Sequence, residues 1–506
     1  MKVIFPVMGA ENISVAYLST ILKKAGHTVQ VAFDRALFDD KQYFSVSWLA
    51  RIFSEKERMI RAIIQAKPDI LAMSVFADNY QWCLEVAAQV KKIHPCLTVF
   101  GGIHTTTCPE EVILKGQVDF VIVGEGDEAL PELLRALETK APVRDIRNLW
   151  LKEDGKVVRN GPRPLLPPSA FPEVDKTVYE KFIPMRDYYL TVTSKGCIAF
   201  CSYCSQNFLK NWEKEQQIGP FLREKSVDQV LEELKTMKAR YGVRYIDIKN
   251  NVLSGNRQWL AEFLERYPQE VGVPFRIMGH PLMFRDRDLA ARLKKAGCSH
   301  VQIGIESFNP DVREKKLLRH ESNAQIVQAL DAMEAAGINF SADLIIGLPG
   351  ETENDLILAL KSLVRYRRLI RASIFWLQYL PKVEITKMAL REGYISGEDE
   401  RIINEGKQNN YLSTGSAMES QRKRILKTYH IMFRLLPILP ERVLSFLLDR
   451  QWHRIFRFIP FQILLIIMVD VWVSFVRNDY YAKWIRGWYL KQINRHLRGK
   501  VECLSR

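Results

Sequence analysis

The sequence predicts an α/β chain in three parts: an N-terminal doubly wound parallel sheet, a partial six-unit (β/α) barrel, and a mainly helical C-terminal region. Three observations predict it. Short, almost continuously apolar runs alternate with amphipathic stretches up to about residue 137. A unit of helical pattern, glycine and strand then recurs between about residues 235 and 346. From about Gly397 that rhythm stops. Continuously apolar strands separated by helical patterns argue for parallel sheets covered on both faces.

The chain has 506 residues, enough for about three domains. Its 47% hydrophobic and 26% charged content is that of a globular protein. The net charge of +15 admits nucleic acid, an acidic membrane surface or anionic ligands as partners. Five of the cysteines (Cys83, Cys96, Cys108, Cys298, Cys503) lack ligand spacing and read as buried small hydrophobes. The stretch Met1–Asn12 leads directly into a strand and has no apolar core of signal-peptide length. With reduced thiols, this points to a cytoplasmic protein.

In the first part, expected as a domain over 1–140, the strand runs are Val3–Val7, Thr28–Phe33, Asp69–Val75, Leu97–Phe100 and Asp119–Val123. Helical patterns lie between them at Val15–Lys24, Glu57–Gln65, Tyr80–Lys92 and Glu128–Leu137. Ligands of such sheets bind beyond the carboxyl ends of the strands. The candidate loops are therefore Met8–Asn12, Phe76–Asn79, Gly101-Gly102-Ile103-His104-Thr105 and Gly124-Glu125-Gly126-Asp127. No G-x-G-x-x-G follows the first strand and no P-loop lysine is present, which disfavours dinucleotides and nucleoside triphosphates. Residues 141–185 carry Pro162, Pro164, Pro167, Pro168, Pro172 and Pro184 and read as an extended linker.

The second part, expected over 186–395, opens with the run Tyr189–Thr193 and then Cys197, Cys201 and Cys204 in a C-x-x-x-C-x-x-C pattern. Thiolates suit iron–sulfur clusters and zinc. Zinc would bring a fourth Cys or His close by, and none follows in the next thirty residues. Three thiolates on a cubane leave one iron open to another ligand, and that is the preferred reading, with zinc the alternative. Strands are expected at 189–194, 245–249, 275–279, 300–305, 340–346 and 372–379, with Gly242, Gly297 and Gly337 stopping the helices before three of them. In barrels the chemistry sits at the carboxyl ends of the strands, where the cysteines fall.

Residues 396–506 form the third part. Ile431–Leu448 and Ile459–Val476 are apolar, the second barely long enough for a bilayer and interrupted by Pro460, Gln462 and Asp470. Residues 477–506 hold eight Lys/Arg against two Asp/Glu, with Trp484, Trp488 and Tyr489 among them. Basic and aromatic residues beside apolar segments suit peripheral membrane contact better than nucleic acid.

The cysteine stretch resembles the signature of radical S-adenosylmethionine (SAM) enzymes, and the glycine loops ahead of it resemble the cobalamin-binding domain of their cobalamin-dependent class. The resemblance covers roughly residues 1–395. It implies a 4Fe-4S cluster on Cys197, Cys201 and Cys204, with SAM on the fourth iron and Tyr203 beside the adenine. It places Glu306 and Ser307 of the Gly304-Ile305-Glu306-Ser307 motif at the ribose or amino-acid part of SAM, and Ile345 against the adenine. Lys249, Asn250 and Asn251 stand where the family carries aspartates followed by asparagine, and the two amides would accept from the SAM ammonium. Gly101, Gly102, His104, Gly124, Glu125 and Gly126 would lie about the corrin, with His104 not on cobalt. The implied activity is modification of an unactivated carbon. Methylation of a lipid-like or other hydrophobic small molecule is preferred, with electrons from a flavodoxin or ferredoxin. A tetrapyrrole cyclase-like ring formation and a non-catalytic sensor are the alternatives.

Overall fold

The computed structural model describes residues 1–40, 44–407, 420–460 and 462–505. The first sheet has seven strands: β1 (Lys2–Met8), β2 (Thr28–Asp34), β3 (Ile70–Ser74), β4 (Leu97–Gly101), β5 (Phe120–Ile122), β6 (Leu149–Glu153) and β7 (Lys156–Arg159). Their order is β2-β1-β3-β4-β5-β6-β7. The first five are parallel, as expected. Helices α1 (Ile13–Lys24) and α5 (Ala129–Thr139) pack on one face. Helices α2 (Lys56–Ala66) and α3 (Tyr80–Ile93) cover the other, and α4 (Ile103–Thr107) follows β4.

β6 and β7 correct the expectation of an extended linker. They form an antiparallel hairpin on the edge of the first sheet. Asp154 and Gly155, at φ 48° and 74°, make the two-residue turn that Asp-Gly favours. Leu149 and Leu151 alternate inward from it. The rest of the segment is extended but packed: Val174, Val178, Tyr179 and Phe182 join the core beneath α1 and α5.

The second sheet contains β8 (Tyr189–Thr191), β9 (Ile246–Ile248), β10 (Phe275–Gly279), β11 (Cys298–Glu306), β12 (Asn339–Ile346) and β13 (Leu369–Trp376). They are parallel and follow one another in sequence order. This is the expected six-stranded partial barrel. Its outer face (Ile248, Ile277, Val301, Ile303, Phe340, Ala342, among others) makes one core with the helices. Gly242 and Gly337 end helices at φ 61° and 69°, the left-handed cap glycine adopts without strain. Helix α6 (Ser205–Gln216) leaves directly from Cys204.

The C-terminal region is helical: α7 (Ser420–Leu435), α8 (Glu441–Asp449), α9 (Gln462–Val476) and α10 (Tyr480–Leu497). Among the described residues no helix is long and apolar enough to cross a membrane. Leu426, Tyr429, Met432 and Phe433 of α7 join the barrel core. The tryptophans of the basic aromatic tail pack into the protein, while Lys483, Lys491, Arg495, Arg498 and Lys500 are exposed. Trp488 donates from Nε1 to the Phe182 carbonyl at 2.9 Å, and Trp484 stacks on Tyr188 at 4.3 Å. Residues 503–505 line the outer edge of β2, where Phe33 N donates to Cys503 O at 2.6 Å and Ser505 N to Val31 O at 2.8 Å. Exposed apolar residues include Leu490 and Leu497 of α10, Trp452, Ile455 and Phe458 on the turn before α9, and Leu464, Met468, Trp472 and Phe475 on the outer face of α9.

Candidate functional site

The cysteine loop begins where β8 ends. Ser194 and Lys195 pair antiparallel with Glu224 and Arg223. Gly196, at φ +91°, passes so close to that partner that a Cβ would lie 2.3 Å from the Phe221 carbonyl oxygen; only glycine fits there. Ser202 N donates to Leu317 O at 3.0 Å, and Ile385 N donates to Ser202 O at 3.0 Å. The loop is thus pinned from two sides.

Cys197 and Cys201 are buried, Cys204 is half-buried, and all three are free thiols. Burial pushes Cys201 up and Cys204 up to about 11, and the charges of the neighbouring cysteines push further. The three sulfurs are therefore electrostatic neighbours, and metal binding would displace their protons. Among the described residues no three His, Cys, Asp or Glu side chains converge on a single ion. A cubane does not ask for that, because each thiolate takes a different iron. Three free thiols on one pinned loop fit the cluster.

Across the barrel mouth, β11 ends at Glu306, a buried carboxylate at φ 66°. Desolvation pushes its carboxyl up to about 7 despite the nearby Arg319 cation. Gly304 is required by this side chain, since a Cβ there would meet Glu306 Oε1 at 2.6 Å. Arg319 joins the two halves of the site. Its Nη1 lies 3.5 Å from Glu306 Oε1, 3.8 Å from Cys201 Sγ and 3.5 Å from the Tyr203 hydroxyl. Nη2 donates to Gly304 O at 2.7 Å, and Nε donates to Glu321 Oε1 at 2.7 Å. The sequence reading missed Arg319, because an arginine in a loop thirteen residues past Glu306 carries no local pattern. Ile345 is buried in an apolar cluster against which Tyr203 packs. Ser307 braces a turn, its Oγ accepting from Asn309 N at 3.2 Å with its hydroxyl proton still to donate.

Asn250 is spent. Its Oδ1 accepts from Thr193 N at 2.8 Å, and its Nδ2 faces Thr193 Oγ1, Ser194 Oγ and Leu253 O. An amide with those partners has little left for a ligand, so Asn250 braces the exit of β8. Asn251 donates to the Gly196 carbonyl at 2.9 Å, bracing the cysteine loop while its side-chain oxygen stays available.

In the first domain, the loops after β1, β3, β4 and β5 stand at the carboxyl edges of neighbouring strands. Gly9 (φ +76°) has nothing within 4 Å of where a Cβ would sit, an open rim that fits close approach by a flat ligand such as a corrin. Gly101 packs against Ile122. Gly102 (φ +117°) differs from expectation: its absent Cβ would lie 2.7 Å from Val75 O, so its glycine serves the fold itself. His104 lies in α4 beneath the rim, buried and tilted against the Tyr80 ring at 4.4 Å, and burial lowers its imidazole to about 4. Neither ring nitrogen makes a well-formed hydrogen bond.

The Gly124–Asp127 loop faces the second domain. Gly124 abuts the Trp212 indole of α6, and Gly126 lies over Ile122. The Glu125 carboxylate is gripped by Arg223, Nη2 to Oε1 at 2.6 Å and Nη1 to Oε2 at 3.1 Å. Lys195, two residues before Cys197, reaches Asp127 at 3.1 Å and Glu125 at 3.5 Å. Burial alone would raise the Glu125 carboxyl, but bonds from Arg223 and Lys195 hold it below the usual range. Glu125 thus clamps the two domains together.

Comparison with known proteins agrees with this geometry. The Radical SAM superfamily matches residues 191–363 and the B12 binding domain matches residues 9–134. An uncharacterised methyltransferase of Pyrococcus horikoshii is 27% identical over 319 residues, covering 61% of this chain and 66% of that protein. The anaerobic magnesium-protoporphyrin IX monomethyl ester cyclase of Cereibacter sphaeroides is 25% identical, covering 68% of this chain and 54% of that one. The chain therefore spans between half and two thirds of these relatives' lengths. The cobalamin-dependent S-adenosylmethionine radical enzyme OxsB shares the fold, with a TM-score of 0.66 at 14% identity over 99% of this chain and 84% of that one. The chain joins a B12 binding domain to a Radical SAM domain, the arrangement of cobalamin-dependent radical SAM enzymes, and its cofactors are a 4Fe-4S cluster, SAM and cobalamin.

Proposed function

We propose that the chain transfers a methyl group to an unactivated carbon of a small molecule. The observation that carries this is the clamp between domains: Glu125–Arg223 and Asp127–Lys195 set the strand-end loops of the B12-binding domain against the cysteine loop. When bound, the cluster with SAM supplies one-electron chemistry at carbon, and cobalamin supplies a transferable methyl group.

The chain's own residues would hold these groups in place and keep water away. Cys197, Cys201 and Cys204 would be the cluster ligands, on a loop pinned by Gly196, Ser202 and Asn251. Arg319 and Glu306, with the Tyr203 hydroxyl, would orient the amino-acid and ribose ends of SAM through charge-assisted hydrogen bonds. Ile345 would lie against the adenine. Gly9 and the Gly124–Asp127 loop would let backbone approach the corrin.

The outer face of α9 and the Trp452–Phe458 turn support peripheral contact with a membrane and a hydrophobic substrate taken from it. Arg450 and Arg454 lie beside that turn and are solvent-exposed, as an anionic bilayer would require. A flavodoxin or ferredoxin would donate the electron. Anaerobic incubation of reduced, reconstituted protein with methyl-labelled SAM and cell extract tests the reading. Label appearing in a new hydrophobic product supports it. Label found in soluble products alone removes the lipid-like substrate.

A further inference from the structure

The inner face of the barrel sheet is polar from strand to strand. Complete (β/α) barrels fill this space with branched apolar side chains. Here Asp247 on β9, Arg276 on β10, His300 and Gln302 on β11, and Ser341 and Asp343 on β12 occupy it, and Arg371 and Ser373 on β13 complete it. The alternate residues of the same strands are the apolar ones under the helices. A cleft of about 570 Å³, counted with the solvent at its mouth, lies between this face, Arg434 of α7 and Asp479 and Tyr481 at the start of α10.

The charges around this cleft are unevenly matched. Arg371 is held by Asp479 at 2.9 Å and Arg434 by Asp470 at 2.9 Å. Arg276 has Asp247 at 3.4 Å, but its Nε and Asp247 Oδ1 make no hydrogen bond. Lys249, on the loop after β9, points its ammonium toward the Tyr481 ring at 5.9 Å. Among the described residues it makes no ion pair. His300 is neutral by burial, and its Nε2 lies 3.0 Å from Ser341 Oγ. Lys249 and the Nε edge of Arg276 therefore offer donors that the protein itself does not consume. Arg276 is buried, and a buried cationic donor without a partner calls for an acceptor.

We propose that this cleft binds an anionic group, a carboxylate or phosphate, of the molecule on which the enzyme acts. This rests on the proposed reaction at the barrel mouth. Gln302 and Glu306 are four residues apart on one strand, about 13 Å along it. An anion beside Lys249 and Arg276 would thus anchor one end of a substrate whose other end reaches the cysteine and Glu306 rim. A hydrophobic body with an anionic head fits both this cleft and the apolar surface of α9.

Titration calorimetry on the full-length, cluster-loaded protein at low ionic strength tests the proposal. The probes are inorganic phosphate, acetate, dihexanoyl phosphatidic acid and tetramethylammonium. At least one anion should bind saturably below about 10 mM, and the cation should not. Lys249→Gln, a change at an exposed position, should weaken the anion at least tenfold, and Arg276→Gln should do the same. Glu306→Gln, on the rim, should leave anion binding unaltered. Tighter binding of the short-chain lipid than of phosphate identifies a lipid head group as the source; equal binding identifies a soluble anion. The proposal is overturned if no anion binds saturably in that range, if the cation binds as well, or if folded Lys249→Gln binds anions like the parent. SAM cleavage is measured separately. Anion binding without cleavage leaves this site standing and sinks the reaction, and cleavage without anion binding does the reverse.

Discussion

Arg223 of the second domain holds Glu125 of the first at two points, 2.6 and 3.1 Å, and Arg223 is itself almost fully buried. The contact links the loop after β5 to the strand beside the cysteines, so the distance between the two cofactor sites depends on it. Arg223→Met should leave the iron content of reconstituted protein unchanged and cost about 2 kcal/mol of stability. That is less than for a fully buried pair, because Glu125 keeps Lys195 and some water. Methyl-transfer turnover should fall at least tenfold, since small misplacements of reacting groups are costly. Product formation and thermal unfolding measure both effects.

Near that clamp, Glu213 of α6 is buried with one carboxylate oxygen lacking a hydrogen-bond partner. Desolvation and then the Glu125 charge push its carboxyl up to about 7. A carboxyl raised on folding binds more protons in the folded state than in the unfolded one. Its cost therefore grows as pH rises from about 4.3 and is complete above about 7. Glu213→Gln should stabilise the protein at pH 8, by at most on the order of 3 kcal/mol, and change little at pH 4. Melting curves at the two pH values decide it; equal shifts would contradict the argument.

Replacing Cys197, Cys201 or Cys204 by Ala should abolish the charge-transfer absorption of reconstituted protein and all cleavage of SAM. Cys108→Ala and Cys298→Ala fall in packed interior positions. They should keep the iron and lose only about 1 kcal/mol of stability.

How legible this was from sequence depended on how local each signal is. The five parallel strands of the first sheet were readable as short apolar runs, and barrel strands β9, β11 and β12 through the glycine that stops the helix before each. The β6–β7 hairpin was also readable, through Asp154-Gly155 between alternating residues, but the prolines that follow outweighed it. Asn250 looked like a ligand because its position in the chain shows nothing of Thr193 and Leu253, which consume its amide. Arg319 and the Glu125–Arg223 clamp are made by residues far apart in sequence and leave no periodicity. The basic aromatic tail showed charge and aromaticity, and only the fold shows Trp488 inside and Phe458 outside.

That division separates stability from membrane contact. Trp488→Ala should destabilise the protein by about 3–5 kcal/mol, as for a buried tryptophan in a core. Phe458→Ser with Trp472→Ser should leave the melting temperature within about 2 °C and weaken binding to anionic vesicles at low salt. Co-sedimentation with vesicles checks this, and high salt should weaken binding by the parent protein as well.

The central claim is a methyl transfer that needs both domains. Its most direct test is to count the products of SAM in reduced protein reconstituted with the cluster, with and without cobalamin, in the presence of cell extract. The account predicts 5′-deoxyadenosine and S-adenosylhomocysteine together, in near-equal amounts, with S-adenosylhomocysteine disappearing when cobalamin is withheld. 5′-Deoxyadenosine alone from fully cobalamin-loaded protein would contradict methyl transfer and favour ring formation or rearrangement.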